Sequence, residues 1–518
     1  MEQRYIVAVE LSGSQIKGAL ASVDADGTQR LPVVHGVAIE DQTGCVQYGR
    51  VQNLVQSAKT TSFVIQKLEN LPAIKGGKIE YAYVALAGRS LGSMQTVAEL
   101  TMPTEMEVTE EIVRRLYKEA SKPVGPDRKA LKVMPRKFMI DNQPVTNPVG
   151  AIGTRLRGEF TVVTCSVTNH RNMEMVIQDR TNITVMEYVV TPLAIADMVL
   201  TDEERQLGCV LVDIGFQTTT MAIYKDRALQ YLVTLPIGSN NITRDIATGL
   251  TLPTERAEAA KRAQGNALPE TAATGNPDYD RINSYVQARV GEIVANVTAH
   301  IGFAGYKPAD LAAGFVLTGR GAKLKNLDRF VEKQSKMKVR MASVPATINL
   351  AAASAAAADL VSLMAVVYRG ASAIQDPSCI ELENVRVEQQ TLDIDSTNAD
   401  APATTAGTVG GFVPFDDSHP DDNWALDDEE AERRAALRRK EAEREAAKAA
   451  ERQRIEEERK AAAEAAEAKR KANEDADNRP KEEPSRKTGI GTKIRLLVSD
   501  IFSKGAGEPD DQDLDDDA

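Results

Sequence analysis

The sequence predicts an α/β fold of two lobes on a duplicated sheet core, and three observations carry the prediction. Strand-like and helix-like patterns alternate up to about residue 390. Within that region one plan of strand, loop, strand, turn and strand occurs twice. Beyond it the composition turns polar and charged, which predicts a partly disordered, partly helical C-terminal tail outside the fold.

The first copy opens with Tyr5–Glu10 (YIVAVE), an apolar strand, and a small polar loop, Ser12-Gly13-Ser14. A second strand, Ile16–Val23, runs to an Asp26-Gly27 turn, and a third lies around Leu31–Ile39. The second copy has Cys209–Ile214 (CVLVDI), the loop Gly215-Phe216-Gln217-Thr218-Thr219, the strand Thr220–Tyr224, a turn at Asp226-Arg227 and the strand Ala228–Pro236. Each copy sets an acid, Glu10 or Asp213, at a strand end before a loop of small or hydroxyl residues. Two such hairpins face to face make a phosphate clamp. Their backbone N–H groups and hydroxyls can donate to β- and γ-phosphates. Glu10 and Asp213 are the candidates for the Mg²⁺ and phosphate side, with the ion held through water near Asp213, since Mg²⁺ binds partly hydrated. A third element fits: the strand Gly314–Thr318 runs into Gly319-Arg320-Gly321, where small residues let a nucleotide approach the backbone.

Composition excludes other classes. The chain has 518 residues, formal net charge -12 and 4% aromatics, which argues against nucleic acid as a partner. Cys45, Cys165, Cys209 and Cys379 lack zinc spacing and read as core thiols of a reducing compartment. The four histidines are as dispersed, so no metal site is expected from them. No leader is expected ahead of the first strand. No apolar run reaches the roughly 20 residues of a membrane span, so a membrane contact must be peripheral.

The stretch Gly208–Leu250, GCVLVDIGFQTTTMAIYKDRALQYLVTLPIGSNNITRDIATGL, resembles the second phosphate and connecting segments of the FtsA family of actin-like cell-division proteins. PVTNPVGAIGTRL (Pro144–Leu156), TPLAIADMVLTDEERQLG (Thr191–Gly208) and GFVLTGRGAKLKNL near residue 320 resemble that family too. The resemblance spans about residues 4–385. It implies an actin-like ATPase fold whose second actin subdomain is replaced by an inserted one, called 1C. Subdomain 1A would take 1–83, 166–205 and 346–390, and 1C would take 84–165. Subdomain 2A would take 206–242 and 309–345, and 2B would take 243–308. Position by position, the resemblance implies that Ser12, Gly13, Ser14 and Gln15 face the phosphates of ATP from one side. It sets Gly215, Gln217, Thr218 and Thr219 opposite them, with Gly238 and Asn240 in the matched IGSNN segment. Glu258 and Lys261 would approach ribose and adenine, and Gly319, Arg320 and Gly321 would close over the nucleoside. The bland alternatives are β-branched strand residues for Thr218–Thr220 and a solvated helix face for Lys261.

Departures from the family pattern bear on chemistry. The first loop has Glu10-Leu11-Ser12 in place of Asp-x-Gly. Phe216 and Gln217 replace two of three consecutive glycines, and Thr220 stands where an Asp is expected. Thr191 precedes Pro-Leu-Ala where relatives in the superfamily place a Glu or Gln that positions water. A hydroxyl cannot accept the proton of that water as a carboxylate can. The expectation is binding of ATP and Mg²⁺ with weak or absent hydrolysis.

The tail divides into a flexible linker (391–425), an Ala/Glu/Arg/Lys helix (426–475), a second linker (476–488), an amphipathic helix (489–504) and an acidic end (505–518). The charged helix has no apolar seam and would reach roughly 70 Å as a solvated spacer. In GIGTKIRLLVSDIFSK (489–504), Ile490, Ile494, Leu497, Val498, Ile501 and Phe502 fall on one helical face. Lys493 and Arg495 supply charge for anionic headgroups. Six side chains at about 1 kcal/mol each make a weak anchor that needs many copies side by side. Together with the resemblance, this predicts a scaffold that polymerises and ties the ring protein FtsZ, through its C-terminal tail, to the inner face of the cytoplasmic membrane at the division septum, among other divisome proteins. The alternatives are a PilM-like pilus-assembly module and a sugar kinase of the actin superfamily. The first would not need the terminal helix, and the second needs a carboxylate base that Thr191 does not provide.

Overall fold

The computed structural model describes residues 3–381, apart from 25–30, 43, 75, 269–276, 351–354 and 374–375. The linkers, charged helix, membrane-facing residues Ile490 to Phe502 and acidic end expected over 391–518 lie outside the described residues.

The first lobe begins with an antiparallel meander of β1 (Gln3–Leu11), β2 (Gln15–Asp24) and β3 (Val33–Asp41). The third strand starts two residues later than expected. Pro32 has no N–H to give a ladder, and its carbonyl instead accepts the amide of Asn349 at 2.9 Å. A short hairpin follows, β4 (Val46–Gln47) with β5 (Arg50–Val51). Next comes α1 (Leu54–Glu69), whose N-cap Asn53 accepts the Gln56 amide at 2.9 Å. After β6 (Lys78–Ile79), β7 (Tyr81–Leu86) lies parallel to β1.

An inserted layer then runs through β8 (Gly92–Glu107), α2 (Glu110–Ser121), β9 (Arg128–Ile140), β10 (Gln143–Val145) and β11 (Ile152–Ser166). Its strands are antiparallel. It has its own core, in which Tyr117 meets the edge of Phe160 at 4.9 Å between ring centres and Phe138 meets it at 5.8 Å. The chain returns through α3 (Val167–Glu174) to β12 (Thr184–Val190), parallel to β7. The first sheet thus has the order β12-β7-β1-β2-β3.

Helices α4 (Thr191–Val199) and α5 (Asp202–Leu207) lead to the second meander, β13 (Cys209–Ile214), β14 (Thr219–Lys225) and β15 (Ala228–Leu235). Helices α6 (Ser239–Leu250), α7 (Thr254–Gln264) and α8 (Pro277–Phe303) follow. Then β16 (Gly314–Thr318) lies parallel to β13, and after α9 (Leu327–Ser335) β17 (Val339–Met341) lies parallel to β16. The order β15-β14-β13-β16-β17 repeats the first sheet's plan strand for strand. Helix α10 (Val361–Ser372) returns to pack on β1, and β18 (Ile380–Glu381) pairs with β6. In both sheets the central strand, β1 or β13, is apolar and buried along almost its whole length, because sheet neighbours and helices cover it.

The repeat did not announce one feature. The inserted strands extend the second sheet, giving β10-β9-β11-β8-β15 and onward as one nine-stranded order. A single ladder pair, Gly92 with Val233, makes the join. Side chains reinforce it. Ser93 Oγ donates to the Leu232 carbonyl at 3.1 Å and accepts its amide at 2.8 Å, and Thr161 Oγ1 donates to the Leu229 carbonyl at 2.7 Å.

Phe160 is fully buried at the centre of the inserted core. Phe160→Ala is expected to cost about 3–5 kcal/mol, read as a lower urea midpoint in chemical denaturation; an unchanged midpoint would show that this core does not contribute to stability.

Candidate functional site

The two central strands end at one cleft of about 670 Å³. From the first copy it is lined by Glu10, Ser12, Gly13, Ser14, Gln15 and Lys17. From the second it is lined by Asp213, Gly215, Phe216, Gln217 and Thr218. Two strands of like order, each followed by a tight loop, deliver both loops to the same place. Gly319, Arg320 and Gly321, at the end of β16, form another wall. Gly319 has φ +87, and a Cβ there would lie 2.3 Å from Asp213 Oδ1, so only glycine brings this loop against the acid.

The electrostatics centre on Lys17, a residue that sequence reasoning passed over. Its Nζ lies 2.8 Å from Glu10 Oε1, and both side chains are largely buried. Ser362 Oγ donates to the other Glu10 oxygen at 2.8 Å. Glu10 is therefore engaged by protein groups, and of the two expected acids Asp213 is the one left to face a cation's water shell. Burial pushes the Asp213 carboxyl up to about 6; the facing Glu10 charge adds to the rise and Lys17 opposes it. A lone lysine inside an apolar strand was the available signal for Lys17.

On the opposite wall, Lys261 and Glu258 line the cleft as a pair, 2.6 Å apart. Thr243 Oγ1 donates to Glu258 at 2.5 Å and accepts from Lys261 at 2.9 Å, and Arg262 donates to Glu258 at 2.7 Å. Burial lowers the Lys261 ammonium against the pull of Glu258. Burial would raise the Glu258 carboxyl, but hydrogen bonds from Lys261 and Thr243 outweigh it and hold it below the usual range. Lys261 is thus buried and paired, not part of a solvated face. Tyr279, Gly265 and Leu324 complete this end.

Three predicted residues do not line the cleft. Thr219 is the first residue of β14, fully buried, and its Oγ1 donates to the Ile237 carbonyl at 2.8 Å. Gly238 and Asn240 lie behind the second loop. The Asn240 amide donates to the Phe216 carbonyl at 2.7 Å, and the Ser239 amide to that of Gly215 at 3.0 Å. The first N–H groups of α6 are thereby spent on the loop's carbonyls. These residues shape the loop and do not face the cleft. Thr220 is also turned away, with its Oγ1 3.0 Å from that of Thr234. Thr191 is 2% exposed, outside the cleft lining, and among the described residues its hydroxyl has no hydrogen-bond partner.

Protein groups also cross the cleft. Gln217 Oε1 accepts the amide of Tyr48, in the β4–β5 hairpin, at 2.7 Å. Arg320 Nη1 donates to Gln15 Oε1 at 2.5 Å, while Gln15 donates to Asp41 at 2.8 Å. Lys323 pairs with Asp359. Neither Tyr48 nor Asp359 carries any motif, so sequence reasoning could not find them.

The donors fit a nucleotide phosphate: loop N–H groups, Ser and Thr hydroxyls, Lys17, and close-approach glycines whose Cβ atoms would fill the space. Among the described residues no cluster of three or more His, Cys, Asp or Glu could hold a metal ion. A divalent cation here would have to be carried mainly by phosphate oxygens and water, with Asp213 to hold that water.

Comparison with known proteins agrees with this architecture. Residues 210–358 match the family model described as Cell division protein FtsA. Residues 88–164 match the model of the SHS2 domain inserted in FTSA. The Cell division protein FtsA of Pseudomonas aeruginosa is 29% identical over 67% of this chain and 84% of its own length. That of Bacillus subtilis is 27% identical over 61% and 77%, and that of Escherichia coli K12 26% over 66% and 84%. A solved chain of a PilM-PilN type IV pilus biogenesis complex shares the fold with TM-score 0.51 and 14% identity, over 71% of this chain and 98% of that one.

The raised Asp213 carboxyl has a consequence for stability. The folded state holds this proton up to about pH 6, whereas an unfolded Asp releases it near its ordinary value of 3.8. Stability therefore falls as pH rises through that window. Asp213→Asn is expected to raise the urea-unfolding free energy at pH 7 by on the order of 2 kcal/mol and to change it little at pH 4. Equal effects at both pH values would contradict the assignment.

Proposed function

We propose, from the premise that this chain belongs to the FtsA family of actin-like cell-division proteins and carries that family's SHS2 insert, that it is a nucleotide-binding scaffold of bacterial division. It binds ATP with Mg²⁺, associates with copies of itself, and ties the FtsZ ring to the inner face of the cytoplasmic membrane at the septum.

The observation that carries the nucleotide reading is the meeting of two duplicated hairpin loops at one cleft, with Lys17 paired to the acid of the first. In this reading the loops Ser12 to Gln15 and Gly215 to Thr218 flank the phosphates from two sides, Lys17 offsets their charge, and Gly319 to Gly321 lie against the nucleoside. Mg²⁺ would supply charge neutralisation and would be held through water by Asp213. The chain's own residues argue for slow hydrolysis. Glu10 is occupied by Lys17 and Ser362, and Thr191 has neither a carboxylate nor a place in the cleft wall. With Glu10 engaged and Thr191 outside the cleft wall, neither is placed to activate an attacking water, which suits a structural ligand better than a fuel.

The membrane reading rests on the sequence pattern of residues 489–504, with the apolar face Ile490, Ile494, Leu497, Val498, Ile501 and Phe502 beside Lys493 and Arg495. Among the described residues no helix is long and apolar enough to cross a membrane. The FtsZ C-terminal tail and other divisome proteins are the partners that family membership favours, with the contact expected within about residues 243–308.

Two measurements test this. Lys17→Met is expected to weaken binding of a fluorescent ATP analogue in the presence of Mg²⁺ by at least about tenfold; unchanged affinity would remove the cleft as the nucleotide site. Deletion of 489–504 is expected to abolish co-sedimentation with vesicles containing anionic lipid, and unchanged sedimentation would remove the tether.

A further inference from the structure

We propose that Gln217 makes this cleft insensitive to the terminal phosphate of a nucleotide, so that nucleoside di- and triphosphates bind alike; the proposal rests on the nucleotide reading above and deepens it. Gln217 stands on the second phosphate loop and reaches across to the other lobe. Its Oε1 accepts the backbone amide of Tyr48 at 2.7 Å. A backbone N–H can only donate, so this bond fixes the orientation of the carboxamide, with its acceptor oxygen held between the loops. That oxygen lies directly on Gly13. A Cβ at Gly13 would sit 2.3 Å from Oε1 and 3.0 Å from Cδ, so no further heavy atom fits between the two loops at this point.

Reading a terminal phosphate requires donors from both loops to converge on its oxygens. Here the point of convergence holds an acceptor, which excludes an anionic oxygen by volume and opposes it with the negative end of its carbonyl dipole. One residue of the first loop also turns its donors inward: Ser12 gives both its amide, at 3.0 Å, and its hydroxyl, at 2.7 Å, to the carbonyl of Gln15. The closure that a terminal phosphate could provide is instead made by protein groups, through Gln217 with Tyr48 and through Arg320 with Gln15. Binding energy then comes from the parts that di- and triphosphate share.

The test titrates ADP and a non-hydrolysable ATP analogue, each with Mg²⁺, into the full chain and into Gln217→Gly and Gln217→Glu, and follows hydrogen exchange at the Tyr48 amide without nucleotide. The wild-type affinities are expected to agree within about threefold, and Gln217→Gly to favour the triphosphate by at least about tenfold. Gln217→Glu keeps an acceptor for Tyr48 but adds a negative charge, so it is expected to favour the diphosphate by at least about tenfold. Exchange at Tyr48 should quicken in Gln217→Gly and stay slow in Gln217→Glu, which separates loss of the bridge from loss of the fold. A strong triphosphate preference in the wild type overturns the proposal, as does an unchanged ratio in Gln217→Gly once Tyr48 has lost protection. A wild-type chain that binds neither nucleotide overturns the nucleotide reading itself, an outcome distinct from tight binding with the wrong ratio.

Discussion

The buried pair of Lys17 and Glu10 is the interaction on which the cleft depends. Duplicated topology brings two strand ends to one place, and each strand ends in an acid. Glu10 and Asp213 would otherwise face one another as like charges in a partly buried site; burial pushes the Asp213 carboxyl up, and the Glu10 charge adds to the rise. Lys17 lies between them in charge and takes Glu10 at 2.8 Å. Removing one partner of such a pair leaves an uncompensated buried charge, typically at a cost of about 3–5 kcal/mol. The second Glu10 oxygen is held by Ser362, so the same carboxylate fastens α10 to the end of β1. One ion pair thus conditions the charge of the cleft and the packing of the helix that closes the first lobe.

The inserted layer is tied to both lobes. Covalently it belongs to the first, between β7 and β12, and Lys132 on β9 lies 3.7 Å from Glu187 of β12. Through Gly92, Ser93 and Thr161 it is hydrogen-bonded to β15, the edge of the second sheet. The connecting helices are held in turn, with Arg340 of β17 reaching Glu204 of α5 by two bonds of 2.5 and 2.7 Å. A displacement of one sheet against the other is therefore felt at the insert and at the connector.

Much of this was legible from the chain alone, for physical reasons that can be named. The apolar runs YIVAVE and CVLVDI, each closed by an acid and a small loop, could only be buried central strands, and they are β1 and β13. Repetition of the plan implied two lobes and two facing loops, and the loops do share a cleft. Misplacements arose where neighbours in sequence part company in space. Thr218 and Thr219 are adjacent, but Thr218 belongs to the loop in the cleft wall, whereas Thr219 opens β14 and gives its hydroxyl to the Ile237 carbonyl in the core. Gly238 and Asn240 sit in a motif beside the cleft, yet the carbonyls of the second loop claim the start of α6.

What the sequence determined by itself was periodicity and order: which segments are strands, which acids end them, and that the plan repeats. These are local properties, set by side-chain chemistry along the chain. What only the tertiary structure decided was pairing over long separations. Lys17 became a site residue because β1 and β2 place it beside Glu10. Tyr48 became one because Gln217, 169 positions away, needs its amide. The insert became an extension of the second sheet because β15 offered an open edge. Such contacts depend on where whole elements come to rest, and no spacing within a segment encodes them.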